Sequence, residues 1–95
     1  MILASARVTL HLPEARSLKD KRQVVASVLR RLRNSHNVSA VELDEDGLWQ
    51  KAVLGLAMAG RKRQEVEAAL ARIRRDIEGL TGLKYLDFET DCQTL

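Results

Sequence analysis

The order in which hydrophobic periodicity changes along this chain constrains its fold more than any other feature. Residues 2–12 alternate, with Ala4, Ala6, Val8, Leu10 and Leu12 on one side and Ser5, Arg7, Thr9 and His11 on the other, the period-2 pattern of a half-buried strand. Pro13 stops it. Ser17 stands three residues before Asp20, a carboxylate version of the capping box, and predicts a helix start. Leu18, Val25, Val28, Leu29 and Leu32 then recur at helical spacing through residues 18–34, and the polar Asn34–Asn37 stretch breaks the pattern. Residues 38–43 read as a short strand and Asp44–Gly47 as a solvated hairpin turn. Residues 49–59 form a strand that is apolar or small on both faces, which predicts a central position. Val66, Ala69, Leu70, Ile73, Ile77 and Leu80 mark a second helix that ends near Gly79 and Gly82. A last strand over 83–90 is expected to turn Leu86 and Phe88 inward and Tyr85, Asp87 and Glu89 outward.

The sequence of elements is β-α-β-β-α-β. It predicts an α+β, two-layer ferredoxin-like sandwich: a four-stranded antiparallel sheet with two helices on one face. Ninety-five residues are expected to form a single ferredoxin-like domain, 1–95, built on one core. A charged share of 31% and the lack of any apolar run near 20 residues argue against a membrane span, and the first residues do not read as an export signal. Cys92 is the single cysteine, so no internal disulfide or multi-cysteine zinc site can form, and a reducing cytoplasm suits the chain.

No catalytic constellation is recognisable, and the domain reads as non-enzymatic, without cofactor or metal. His11 and His36 lack a second ligand type at helical spacing, and a solvated or hydrogen-bonded role is favoured for both. Asp44, Glu45, Asp46 and Gly47 lack the spaced oxygens and distal glutamate of a calcium loop. No glycine pattern forms a phosphate-cradling loop. For Trp49, packing at the edge of the core is favoured over a role in an interface.

Charge is more informative. The net charge is only +3, yet two windows, 16–33 and 61–75, hold 13 of the 16 basic residues, and acid collects at 42–46 and 87–91. On the first helix Lys19, Arg22, Arg30 and Arg33 fall on one flank of the apolar stripe. Together with Lys21 they are the candidate contacts for the phosphates of structured RNA. The open face of the sheet lacks the aromatic side chains on which RNA-recognition sheets stack bases. Its small and aliphatic residues, Val38, Ala40, Val53, Gly55 and Ala57, form a candidate face for a homodimer.

Leu12-Pro13-Glu14, Ser17-Leu18-Lys19-Asp20-Lys21-Arg22, Asn37-Val38-Ser39 and Leu48-Trp49-Gln50-Lys51-Ala52-Val53-Leu54-Gly55 together resemble the YlxP-like family of bacterial proteins of unknown function. The resemblance covers nearly the whole chain. It implies a ferredoxin-like fold and carries no established activity or active site. Genes of this family often stand beside those for translation initiation and ribosome-binding factors, which implies a place near the ribosome or its RNA. Two functional expectations follow: a binding domain for structured RNA or a ribosomal subunit, or a homodimeric protein-interaction or regulatory domain that needs no nucleic acid.

Overall fold

Strand β1 (Ile2–His11) runs through the middle of the sheet, flanked on both sides by antiparallel neighbours. The structure, a computed structural model, describes residues 1–44 and 47–95, the side chain of Leu86 excepted. After β1 come α1 (Leu18–Ser35), β2 (Ser39–Glu42), β3 (Lys51–Gly60), α2 (Arg63–Glu78) and β4 (Lys84–Thr94). The strands lie in the order β2-β3-β1-β4, all neighbours antiparallel. This is the ferredoxin-like topology that the periodicities predict. The strand with two apolar faces, β3, is indeed central, and the most polar, β4, is an edge.

The core lies between the sheet and the helices. Val8, Leu10, Leu12, Leu32, Leu54, Ile73 and Ile77 are its largest fully buried side chains, and they come from both helices and both central strands. The start of α1 is capped as expected: the Ser17 hydroxyl accepts from the Asp20 amide at 3.0 Å, and the Asp20 carboxylate accepts from the Arg16 amide at 3.0 Å. Leu18 departs from the predicted stripe. It is the first helical residue and remains exposed, and the stripe begins with Lys21 instead.

Two strand predictions change. The β1–β4 register skips a position, so that Thr9 faces Asp87 while Leu10 faces Tyr85. This irregularity inverts the alternation and packs Tyr85 against the core together with Phe88, where simple period-2 reading points Tyr85 outward. The inward placement expected for Leu86 lies outside the described side chains. Strand β4 also continues to Thr94, four residues beyond the apolar pattern, because β1 offers it a full-length hydrogen-bonding edge.

Gly60 closes β3 where the backbone meets α2. A Cβ there would lie 2.4 Å from Cγ2 of Val66, a buried, β-branched side chain that has no room to swing. At Gly55 an added Cβ would meet only the tip of Leu43, at 2.9 Å, and Leu43 is exposed and able to move. Gly60→Ala is therefore expected to cost about 1–3 kcal/mol, as overpacking does. Gly55→Ala should change stability by less than about 1 kcal/mol, since relief of strand glycine entropy offsets the contact. Urea midpoints of the two variants measure this, and equal losses would contradict it.

Candidate phosphate-binding surface

Helix α1 packs on β2 while α2 packs on β3, β4 and β1. Its basic flank consequently runs along the β2 side of the molecule. Lys19, Arg22, Arg30 and Arg33 are all exposed there, and none forms an ion pair with another described residue. Arg33 donates through Nη2 to the Ala40 carbonyl, which ties this flank to the edge strand. From Lys19 to Arg33 the ridge follows about 21 Å of helix axis. The exposed, small Ala26 lies between its two cation pairs. The second basic window is more engaged. Arg74 stacks over Tyr85 and Phe88 at 5.2 and 5.9 Å and pairs with Glu78, and Arg63 donates to Thr94.

Lys21 does not belong to this surface. It is 4% exposed and points away from the ridge, into the gap between α1 and the β2–β3 connection. Its Nζ donates to Asp44 Oδ2 at 2.5 Å and to the Leu48 carbonyl at 2.9 Å, with Glu42 Oε2 at 3.8 Å. Asp44 Oδ1 in turn accepts from the Val53 amide at 2.8 Å. Asp44 is thus the anchor of the connection rather than part of a solvated turn; Glu45 and Asp46 lie outside the described residues. Only the fold brings Lys21 and Asp44, 23 positions apart, within reach of each other. With its donors taken up by protein acceptors, the Lys21 ammonium is a structural charge.

This network titrates in two directions. Burial pushes the Asp44 carboxyl up, but the Lys21 hydrogen bond, the Val53 amide and the Lys21 charge outweigh it and hold the group below its ordinary 3.8. Glu42 is pushed above its ordinary 4.5 by burial and by the Asp44 charge, against the pull of Lys21. The depressed Asp44 contributes stability that is complete above about pH 3.8 and lost as pH falls through its lower folded value. The raised Glu42 contributes stability present below 4.5 and lost as pH rises through its higher folded value. Urea unfolding at a series of pH values should show both limbs. Asp44→Asn should remove most of the acid limb, and Glu42→Gln should remove the decline above pH 4.5; retention of both slopes would contradict the assignment.

The open sheet face divides. Val53, Gly55 and Ala57 lie on it as expected, beside the exposed Leu3, Val41 and Leu43. Val38 and Ala40 do not. They alternate onto the helix side, where Ala40 is 2% exposed and Val38 packs against the core, because α1 covers β2 from that side. Across β1, the β4 residues Asp87, Glu89 and Asp91 form an exposed acidic strip. The exposed Arg7 of β1 lies on the same face, opposite Glu89.

Trp49 stands outside the buried core. It is 50% exposed, and its neighbour Leu48 53%, in the turn that precedes β3, so it is not one of the buried core residues. The apolar pattern of residues 49–59 suggests a strand from Trp49 onward. Strand pairing begins only at Lys51, opposite His11. His36 is hydrogen-bonded, as expected, its Nε2 lying 2.6 Å from Asp76 Oδ2 across the two helices. Among the described residues no three His, Cys, Asp or Glu side chains converge to hold a metal ion, and no helix is long and apolar enough to cross a membrane.

Topology, sheet order and the one-sided helical layer make this a ferredoxin-like α+β protein. Residues 3–90 match the family described as "Protein of unknown function (DUF503)", and the chain belongs to that family. The "Uncharacterized protein YlxP" of Bacillus subtilis (strain 168) is 37% identical over 60 residues, a match spanning 63% of this chain and 65% of that relative. Both agree with the YlxP-like resemblance of the sequence.

Proposed function

We propose that this protein is a non-enzymatic, cytoplasmic binding domain that lays the exposed flank of α1 along the phosphate backbone of structured RNA in a ribosomal setting. The observation that supports this reading is the ridge itself: Lys19, Arg22, Arg30 and Arg33 are exposed, share one flank and lack carboxylate partners among the described residues. Cations that serve only solubility are commonly interleaved with acids at helical spacing, as Arg74 is with Glu78 on α2. On this flank only the uncharged, exposed Gln23 and Ala26 lie between the two cation pairs. Recognition of this kind reads backbone and shape rather than base sequence.

Co-sedimentation with ribosomal subunits at low and moderate salt, beside free structured RNA, tests the proposal. Comigration should weaken with salt and with the double variant Arg22→Glu/Arg30→Glu. Absence from every ribosomal and RNA fraction at low salt would reject it.

A further inference from the structure

The two edges of the sheet are unlike. Strand β2 is four residues long, whereas β4 runs for eleven, Lys84–Thr94, and no described strand pairs with its outer side. Pairing with β1 fixes which backbone groups that side presents. The Leu95 amide donates to the Met1 carbonyl at 2.8 Å and the Met1 ammonium to the Leu95 carbonyl at 3.1 Å, and the register continues unbroken from Ile2 opposite Thr94 to Thr9 opposite Asp87. Hydrogen-bonded positions alternate along an antiparallel pair, so Gln93, Asp91, Glu89 and Asp87 turn their amides and carbonyls to β1. Those of Phe88, Thr90 and Cys92 face outward. The Phe88 amide accordingly meets no neighbouring strand and donates to Asp87 Oδ1 at 2.9 Å.

The two faces of this edge differ in chemistry. On the helix side, Leu70, Phe88 and Cys92 give apolar surface to a groove of about 460 Å³ between α2 and β4. Arg63, Glu67 and Arg74 also line it, with Arg63 donating to Thr94 and Arg74 to Tyr85. On the open face Asp87, Glu89 and Asp91 are exposed and form no ion pair with a described residue, and Arg7 offsets only one of the three charges. A long open edge is a template for a further strand, and side chains directly opposite one another across the new pair share a face. A second copy of β4 fits poorly, because any register that overlaps its middle sets these acids against themselves. A strand of alternating basic and apolar residues complements both faces. We propose that the β4 edge docks such an extended segment of a partner protein in the antiparallel sense of the rest of the sheet. Its apolar residues lie opposite Phe88, Thr90 and Cys92 beside the groove, and its lysines or arginines lie opposite Glu89 and Asp91. The site is on the other edge of the sheet from the α1 ridge and is independent of RNA binding.

A fluorescein-labelled peptide of alternating lysine and valine tests this by anisotropy, with amide exchange as the local readout. Binding should slow exchange of the Thr90 and Cys92 amides. N-methylation of the valines, which removes the donors facing β4, should weaken binding about tenfold or more, while N-methylation of the lysines, whose amides face away, should change it less than about twofold. Thr90→Pro deletes an outward amide, leaves the β1 ladder whole and should match the effect of valine methylation. Glu89→Lys/Asp91→Lys should lose the lysine–valine peptide and gain its glutamate–valine counterpart. Arg22→Glu/Arg30→Glu should bind the peptide as the parent protein does. Equal binding of the parent and both methylated peptides, without slowed exchange at Thr90 and Cys92, would overturn strand docking and leave only attraction by charge. Absence of binding at low salt would also overturn it, and the acids would then serve to keep the edge from pairing with itself. A dimer in sedimentation equilibrium that Thr90→Pro dissociates would overturn it too, and would assign the edge to a second copy.

Discussion

Lys21→Met is expected to destabilise the protein by about 2–4 kcal/mol, a loss equivalent to roughly 10–25 °C in Tm for a domain of this size. Methionine nearly fills the volume of the lysine stem, so little of the effect comes from a cavity. The cost arises because the Asp44 carboxylate, whose side chain is 6% exposed, loses its counter-charge and cannot recover water, while the Lys21 bond to the Leu48 carbonyl is lost as well. Removing both charges should cost less than removing one. Lys21→Met/Asp44→Leu is accordingly expected to regain part of the stability lost by Lys21→Met, the signature of a buried pair. Chemical unfolding of the three proteins measures it. The polarisation of Trp49 emission gives a local readout, which should fall in Lys21→Met as the turn loosens. A loss under about 1 kcal/mol with unchanged polarisation would mean that the ion pair does not hold the β2–β3 connection.

The largest functional effect is expected from Arg22→Glu/Arg30→Glu. Each reversal removes one phosphate contact and places a negative charge against the backbone, so affinity for structured RNA should fall about a hundredfold at low salt. The plot of log affinity against log salt should become shallower by about 1.5, the loss of two counterion-releasing contacts. Stability should be nearly unchanged, since neither arginine is paired with a described residue. That separation distinguishes a binding surface from a structural one. Arg7→Glu, a reversal on the open sheet face, is the control and should have a much smaller effect on affinity and slope. Equal effects at Arg7 and on the ridge would reduce the interaction to attraction by overall charge.

The resolved differences from the sequence reading share a cause. Lys21 sits at helical spacing next to a ridge of cations, and its charge alone groups it with them. Its azimuth, however, is that of Val25, Val28 and Leu32, the buried stripe. A charge on that stripe requires a partner, and nothing local supplies one. Asp44 is that partner, delivered from beyond β2 by the hairpin. Ala40 and Val38 are small enough for either face of a strand, and their side is decided by the helix that covers β2. Tyr85 turns inward because of an irregularity in pairing with β1, which has no signature within β4 itself.

Local pattern by itself determined the order and type of all six elements, the cap at Ser17, the central position of β3 and the exposure of the α1 ridge. Each of these depends on interactions within a few residues, or on the partition of apolar from polar surface, and such preferences are written in the spacing of side chains. Only the tertiary structure decided where Lys21 finds its counter-charge, which face carries Ala40, and which way Tyr85 turns. Those outcomes depend on groups distant in sequence that compete for one buried volume and a limited set of buried donors and acceptors, and that competition has no local period.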